Sequence, residues 1–280
     1  MLDVRPSPIA GTWYPEDPDV LARSVDAWLA SSEASPPPGE IIGLVAPHAG
    51  HRYSGRVAAH AFRLVQGAHR RIVAILCPMH HPYPDPILTT AHGAFGTPLG
   101  TLEVASDALD RFEQALALYG LPLARIPHDP EHALEIELPF LQRTLLPGFR
   151  LLPVMLRDQS RSTAEAIGHA LASTLAGQES LLVASSDLSH FFPDLVARSL
   201  DEEMLSRLHA FDPAGVLSAE EEGVGFACGK GALAATLWAA ADLGANRVDI
   251  LHYAHSGEVT GDNFSVVGYG AAVIYRAVDA

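Results

Sequence analysis

Residues 41–50 read Ile-Ile-Gly-Leu-Val-Ala-Pro-His-Ala-Gly, a short apolar run followed closely by a histidine. An apolar run of this length is typical of a buried strand. The same combination occurs three times along the chain: 41–45 before His48, 72–76 before His80, and 181–185 before His190. We therefore expect three buried strands that each deliver a histidine just beyond their carboxyl end.

Amphipathic stretches with apolar side chains at helical spacing lie between such runs and favour an α/β fold. With 48% hydrophobic residues and no fixed repeat, the pattern predicts a single domain over residues 1–280. Its expected architecture is a mostly parallel central sheet flanked by helices, with antiparallel strands at the end. The pattern also predicts Ser54 and Ser106 as helix N-caps, and a helix over 131–145 that is bent at Pro139.

The charge balance argues against several classes of partner. The chain carries 33 acidic and 18 basic residues, a net charge of −15, and its basic residues are scattered. Binding to nucleic acid or to an anionic membrane is therefore not expected. No apolar run approaches the ~20 residues that span a bilayer. Residues 1–14 lack the basic and apolar segments of a secretion signal, so we predict a cytoplasmic protein.

The chain has 14 histidines, and histidine is the commonest metal ligand in proteins, so a metal site is the first to consider. In an open parallel sheet, ligands bind in the crevice beyond the carboxyl ends of the strands. His48, His80 and His190 are expected to meet there, although any one of them alone is more often a simple loop residue. The sequence leaves the roles of His51 and His81 undecided.

Two further segments carry side chains that suit a site. Residues 131–135 read Glu-His-Ala-Leu-Glu, which on a helix puts His132 and Glu135 on one face. This segment is either a charged first turn or a substrate contact, and the role of Glu135 stays open. Cys228 precedes a predicted helix, where the pKa of a thiol is lowered and the thiolate can bind metal or attack carbon. The alternative is a small buried residue, which is what we expect of Cys77.

Several short motifs follow one another along nearly the whole chain. They are Ala46-Pro47-His48-Ala49-Gly50, Pro78-Met79-His80-His81, Glu131-His132-Ala133-Leu134-Glu135, Ser185-Ser186-Asp187-Leu188-Ser189-His190 and Cys228-Gly229. Their joint order resembles the Memo family, which includes the bacterial proteins called AmmeMemoRadiSam system protein B. The resemblance implies the architecture of the LigB-like class III extradiol dioxygenases, which hold non-haem Fe(II) with two histidines and one carboxylate.

By this resemblance, His48 and His80 correspond to the two histidine ligands of the metal. Cys228 corresponds to the third ligand, in place of the dioxygenase carboxylate. Fe(II) is the cofactor that the resemblance implies first. Copper and zinc are alternatives, because a thiolate is softer than a carboxylate and suits all three metals.

The resemblance further makes His190 the catalytic acid/base, Asp187 the residue that orients or tunes it, and His132 an additional histidine of the catalytic pocket. The implied function is a dioxygenase-type oxidoreductase that acts with O₂ on a small molecule, with phenols as one candidate class. The alternatives left open are a non-catalytic iron- or copper-binding protein and a module that binds a protein partner on the same scaffold. A zinc hydrolase or a Cys228–His190 nucleophilic enzyme is a weaker alternative.

Overall fold

The computed structural model describes residues 3–278 of the chain. Its strands are β1 (Val4–Arg5), β2 (Gly39–Ala46), β3 (Ile72–Pro78), β4 (Ile87–Thr90), β5 (Ala94–Thr97), β6 (Gly100–Glu103), β7 (Ala124–Ile126), β8 (Arg150–Leu156), β9 (Ser180–Ser185), β10 (His190–Phe192), β11 (Arg247–His255) and β12 (Val266–Ala277). Its helices are α1 (Pro18–Ser31), α2 (His51–Arg63), α3 (Ser106–Ala117), α4 (Leu138–Thr144), α5 (Arg161–Leu175), α6 (Asp194–His209), α7 (Pro213–Glu221), α8 (Lys230–Asp242) and α9 (Gly257–Thr260). A 3-10 turn, Glu135–Glu137, precedes α4.

The large sheet has the strand order β10-β12-β2-β9-β3-β8-β4-β7, with β11 paired to β12. Its central strands β2, β9, β3 and β8 run parallel, whereas β12 pairs antiparallel with β2, β10 and β11. This arrangement confirms the predicted α/β class with a mostly parallel central sheet and antiparallel strands at the end. A smaller sheet joins β1, β5 and β6. That residues 1–280 form a single domain stays a prediction.

Helices flank the central sheet and bury its strands. α8 packs against β9 and β3, and α2 packs against β2 and β12. Every residue of β3 is buried, which is why this strand reads as a continuous apolar run rather than as an alternation of polar and apolar residues. Within residues 3–278, no helix combines the length and the apolar character needed to cross a membrane.

The two predicted serine caps are wrong. Gly50 is the N-cap of α2, and Ala105 is the N-cap of α3, for which Ser106 is the first helical residue. Ser54 lies within the first turns of α2, where its hydroxyl donates to the carbonyl of Ala49 at 2.8 Å. The side chain therefore ties the helix to the preceding loop without being its N-cap.

The helix predicted over 131–145 begins only at the 3-10 turn before α4. The main-chain N–H groups of His132 and Ala133 donate to the carboxylate of Glu131 instead of entering a helix. Pro139 lies in the first turn of α4, where its missing N–H costs no helical hydrogen bond. The predicted bend at this proline is therefore absent because the helix starts beside it.

The N-terminal strand is anchored through Arg5, which is only 2% exposed. Its guanidinium forms one ion pair with Glu135 and another with Asp129, with 2.8 Å between Nε and Oδ2. Its Nη2 also donates to the main-chain carbonyl of Glu131 at 2.7 Å. One side chain therefore fixes the segment that leads into α4, a role that no pattern in the sequence indicated.

We expect Arg5→Met to lower the free energy of unfolding by about 3–5 kcal/mol, because it leaves two buried carboxylates without their partner. Urea denaturation followed by circular dichroism measures the change. The control Arg143→Met breaks an exposed ion pair with Asp26 and should cost less than about 1 kcal/mol. Equal losses in the two variants would contradict the anchoring role of Arg5.

Candidate metal centre

The carboxyl ends of the parallel strands bring the predicted histidines together. His48 and His80 each lie two residues beyond their strands, β2 and β3, and β9 lies between these strands in the sheet. His190 opens β10, shortly after β9 ends, and lines the same cavity as the other two. Residues far apart in sequence thus meet at one edge of the sheet, as the geometry of parallel strands requires.

Three histidines, His48, His80 and His132, form a cluster that could hold a metal ion. One candidate ligand atom from each lies within 4.8 Å of the other two. The ring centroid of His132 lies 4.8 Å from that of His80 and 5.4 Å from that of His48. The structure therefore places His132, expected as a further pocket histidine, directly beside the two expected ligands.

The carboxylate of Glu131 orients two of these rings. Its Oε1 lies 2.9 Å from Nδ1 of His80 and 3.1 Å from Nδ1 of His132. Burial alone would raise the pKa of Glu131, but the hydrogen bonds from His132 and His80 outweigh burial and hold the pKa well below its usual range. Because a carboxylate only accepts, each Nδ1 carries the proton and each Nε2 keeps a lone pair for a metal.

A chain of hydrogen bonds fixes the ring of His48. Its Nδ1 lies 3.0 Å from Oγ of Ser185, which lies 2.6 Å from the carbonyl of Ala133 and 2.8 Å from Oε1 of Glu137. The Ser185 hydroxyl is the donor toward these two oxygens, and burial raises the pKa of Glu137. Because its one proton is directed there, Ser185 accepts the Nδ1 proton of His48. Burial and the neighbouring histidines lower the pKa of His48, whose Nε2 thus keeps its lone pair.

The Sγ of Cys228 lies 3.1 Å from Nε2 of His48. The residue precedes α8 as predicted, but the expected lowering of its thiol pKa is wrong. Burial and the negative charge of Asp187 raise that pKa, so the thiol donates to His48. Cys228 thus reaches the cluster through His48, whereas His132 completes the group whose ligand atoms all lie within 4.8 Å of one another. Cys77 is fully buried in β3, as expected of a structural cysteine.

His190 and Asp187 serve different parts of the site. Nδ1 of His190 donates to the carbonyl of Leu188 at 2.7 Å, which leaves Nε2 free as a base, and burial lowers the pKa of His190. The carboxylate of Asp187 accepts the main-chain N–H groups of His48 and Ala49, and burial raises its pKa to about 7. The expectation that Asp187 orients His190 is therefore corrected: the carbonyl of Leu188 does so, and Asp187 holds the loop after β2.

These groups face a cavity of about 560 Å³, a volume that suits a small molecule. Its polar lining includes His48, His80, His132, Asp187 and His190. Its aromatic lining consists of Trp13, Tyr53, Phe191 and Tyr269. The ring of Trp13 lies against that of His132, with 4.1 Å between centroids, so an aromatic surface continues directly into the histidine cluster.

The residues whose roles the sequence left open lie outside this cluster. His81 is exposed, and Glu135 is the buried partner of Arg5. His51 is buried and its Nε2 donates to the carbonyl of Ile136 at 2.9 Å. Sequence reasoning missed the orienting roles of Glu131 and of the serine beside His48, because both depend on contacts between distant segments.

A family model described as Memo-like protein matches residues 5–273. The chain belongs to the Memo family. The MEMO1 family protein MTH_45 of Methanothermobacter thermautotrophicus is 36% identical over 276 residues, which cover 95% of this chain and 98% of that protein. The MEMO1 family protein MK0963 of Methanopyrus kandleri is 34% identical over 283 residues, which cover 97% and 99%. The solved structure of uncharacterized protein JW3007 from Escherichia coli K12 aligns with 82% of this Memo chain and with 99% of its own chain. The sequence identity is 16% and the TM-score is 0.48, so no property of that protein is assigned to this one.

We expect Glu131→Gln to release the rings of His80 and His132, because an uncharged amide is a weaker acceptor for the two Nδ1–H groups that share Oε1 and its NH₂ would face the main-chain N–H of His80 that Oε2 now accepts. Long-range ¹H–¹⁵N NMR of the imidazoles measures the tautomers. Both rings should be in the Nδ1–H form in the wild type and in a mixture of forms in the variant. Glu113→Gln, which neutralises an exposed partner of Arg125, is the control. An unchanged Nδ1–H form in Glu131→Gln would contradict the assignment.

Proposed function

We propose that this Memo protein binds one non-haem metal ion, iron in the first place, through His48, His80 and Cys228. The observation that supports the proposal most is the protonation pattern. Hydrogen bonds to the Nδ1 atoms of His48 and His80 leave both Nε2 atoms unprotonated, and Sγ of Cys228 lies 3.1 Å from Nε2 of His48. Two imidazoles and one thiolate suit Fe(II), and they also suit copper and zinc.

His132 is the competing third donor. The thiolate of Cys228 would offset one unit of a dication's charge directly, whereas His132 brings a third neutral imidazole, whose neighbouring anion, Glu131, lies at its Nδ1. The ring of His132 is also packed against Trp13 at the cavity wall. We therefore assign Cys228 to the metal and His132 to contact with a bound small molecule.

We further propose a dioxygenase-type oxidation of a small substrate, with phenols as the first class to test. Bound Fe(II) would supply Lewis acidity and electron exchange with O₂. The side chains of the protein would accept the substrate's proton and hold the substrate in position. Nε2 of His190, whose Nδ1 is tied to Leu188, accepts the proton of a substrate hydroxyl. The aromatic lining packs against the substrate and excludes water.

The second candidate is a non-catalytic metal- or partner-binding protein on the same scaffold. It is favoured by exposed aromatic side chains near the cavity: Phe191 is 73% exposed with a φ of 64°, and Phe264 is 88% exposed. Large exposed apolar side chains are common at protein contacts. A cytoplasmic location and the lack of a nucleic-acid partner stay predictions.

We expect anaerobic protein to bind about one Fe(II) at pH 8 and to release one proton from the Cys228 thiol, because only a thiolate binds the metal. Calorimetry in two buffers of different ionisation enthalpy measures that proton. Cys228→Ser should lose the proton release and at least about tenfold in affinity, and His132→Ala should keep both. If Cys228→Ser still releases the proton on binding Fe(II), Cys228 is not a metal ligand. If elemental analysis of the wild type finds no bound metal, the proposed metal site is contradicted.

We expect oxygen uptake by the iron-loaded protein with at least one member of a panel of catechols. Removing the base in His190→Gln should slow that uptake by about 10²–10⁴-fold without changing the iron content. An oxygen electrode measures the rate, and the control is His69→Gln, which changes an exposed histidine at the opposite end of β3 from His80. Uptake that is unaffected by His190→Gln contradicts the assigned base, and no uptake with any catechol favours the non-catalytic candidate.

A further inference from the structure

A second cavity, of about 840 Å³, adjoins the histidine cavity. The two cavities share Thr12, Trp13 and Tyr53 in their linings. The ring of Trp13 also contacts that of His132. A small molecule in the histidine cavity would therefore lie next to the second cavity.

Two arginines, Arg52 and Arg56, line the second cavity one turn apart on α2. Both are exposed, and neither guanidinium has a hydrogen bond or an ion pair within residues 3–278. The arginines that line other cavities, Arg5, Arg150 and Arg198, are all paired with carboxylates. The unpaired charges on α2 are therefore not a general property of cavity-lining arginines in this chain.

The charges around the second cavity do not cancel those of Arg52 and Arg56. Glu258 also lines this cavity, but its Oε1 lies 3.9 Å from Nη2 of Arg198. The buried His255 lies 2.9 Å from a carboxylate oxygen of Asp194. Because the whole chain has a net charge of −15, an anion is repelled except where positive charge is concentrated locally.

His51, on the first turn of α2, gives an independent sign of a missing partner. It lines the second cavity and is 2% exposed. Its Nε2 donates to the carbonyl of Ile136, and its Nδ1 has no hydrogen-bond partner. The Nδ1 atom is therefore an acceptor without a donor. A hydroxyl group or an ordered water that accompanies a bound acid would supply one.

We propose that Arg52 and Arg56 form an anion-binding subsite for the carboxylate of a small organic acid whose other end occupies the histidine cavity. Arginine binds a carboxylate through two parallel hydrogen bonds. The guanidinium carbon of Arg52 lies 5.7 Å from the ring centroid of Tyr53, a residue of both cavities that offers an aromatic surface to the carbon skeleton. This subsite would make organic acids the substrate class of the proposed function. It rests on the proposed function only in placing the other end of the acid in the histidine cavity.

The subsite is tested first on metal-free protein with 3-phenylpropionate and its neutral analogue 3-phenylpropionamide. Tryptophan fluorescence measures both affinities, because Trp13 and Trp28 line the second cavity. The wild type should bind the carboxylate about tenfold more tightly than the amide, and Arg52→Gln/Arg56→Gln should bind the two ligands equally. The control Arg71→Gln/Arg247→Gln removes the same charge from exposed arginines next to the starts of β3 and β11 and should keep the preference.

Equal affinities in the wild type, or a preference that survives Arg52→Gln/Arg56→Gln, would overturn the subsite. A chain that binds no iron would refute the metal proposal without affecting this comparison, which needs no metal. The shared ligand is tested on iron-loaded protein. There, 3-(3,4-dihydroxyphenyl)propionate should bind at least about tenfold more tightly than 3-phenylpropionate, and equal affinities would contradict the link to the histidine cavity.

Discussion

The buried carboxylate of Glu131 lies within hydrogen-bonding distance of Nδ1 of both His80 and His132, and the arrangement of the site depends on it. A buried anion is stable only when its acceptor positions are filled, and here the donors are two ring nitrogens and three main-chain N–H groups. Two of those main-chain donors, the N–H groups of His132 and Ala133, come from a segment that would otherwise start a helix. Arg5 fixes the same segment from the other side by binding the carbonyl of Glu131.

This hydrogen bonding prepares the site before any ligand arrives. Glu131 sets the tautomer of two histidines, and Ser185, whose own proton is directed at Ala133 and Glu137, sets that of His48. The rings are held by contacts with the protein rather than by a metal, so less conformational entropy is lost on binding. The site presents neutral nitrogen lone pairs, together with a thiol that becomes anionic only when it gives up its proton.

The histidines at the strand ends could be predicted because the apolar run and the histidine that follows it lie within a few residues of each other in the sequence. An apolar run such as 72–76 identifies a buried strand, and the rule for parallel sheets then places the following histidine at the ligand-binding edge. The family motifs added Cys228, whose Sγ does lie beside His48. The antiparallel strands at the end of the chain, β11 and β12, were also visible from local pattern.

The roles of Glu131, Ser185 and Arg5 in orienting the site could not be predicted, because most of the groups that they contact are distant in sequence. Glu-His-Ala-Leu-Glu at 131–135 consists largely of good helix formers, and only the rings and main chain around Glu131 make a non-helical conformation favourable. The partner of Arg5 at position 135 is separated from it by 130 residues. The thiol pKa of Cys228 was misjudged for the same reason, since burial and the charge of Asp187 outweigh the effect of the helix start.

The most direct test of the central claim is an anaerobic crystal structure of the iron-loaded protein with anomalous diffraction measured on both sides of the iron absorption edge. The account predicts one iron peak at about 2.0–2.4 Å from Nε2 of His48, Nε2 of His80 and Sγ of Cys228. A peak bound by the three histidines with Cys228 out of reach, or no peak beyond the carboxyl ends of β2 and β3, would contradict it.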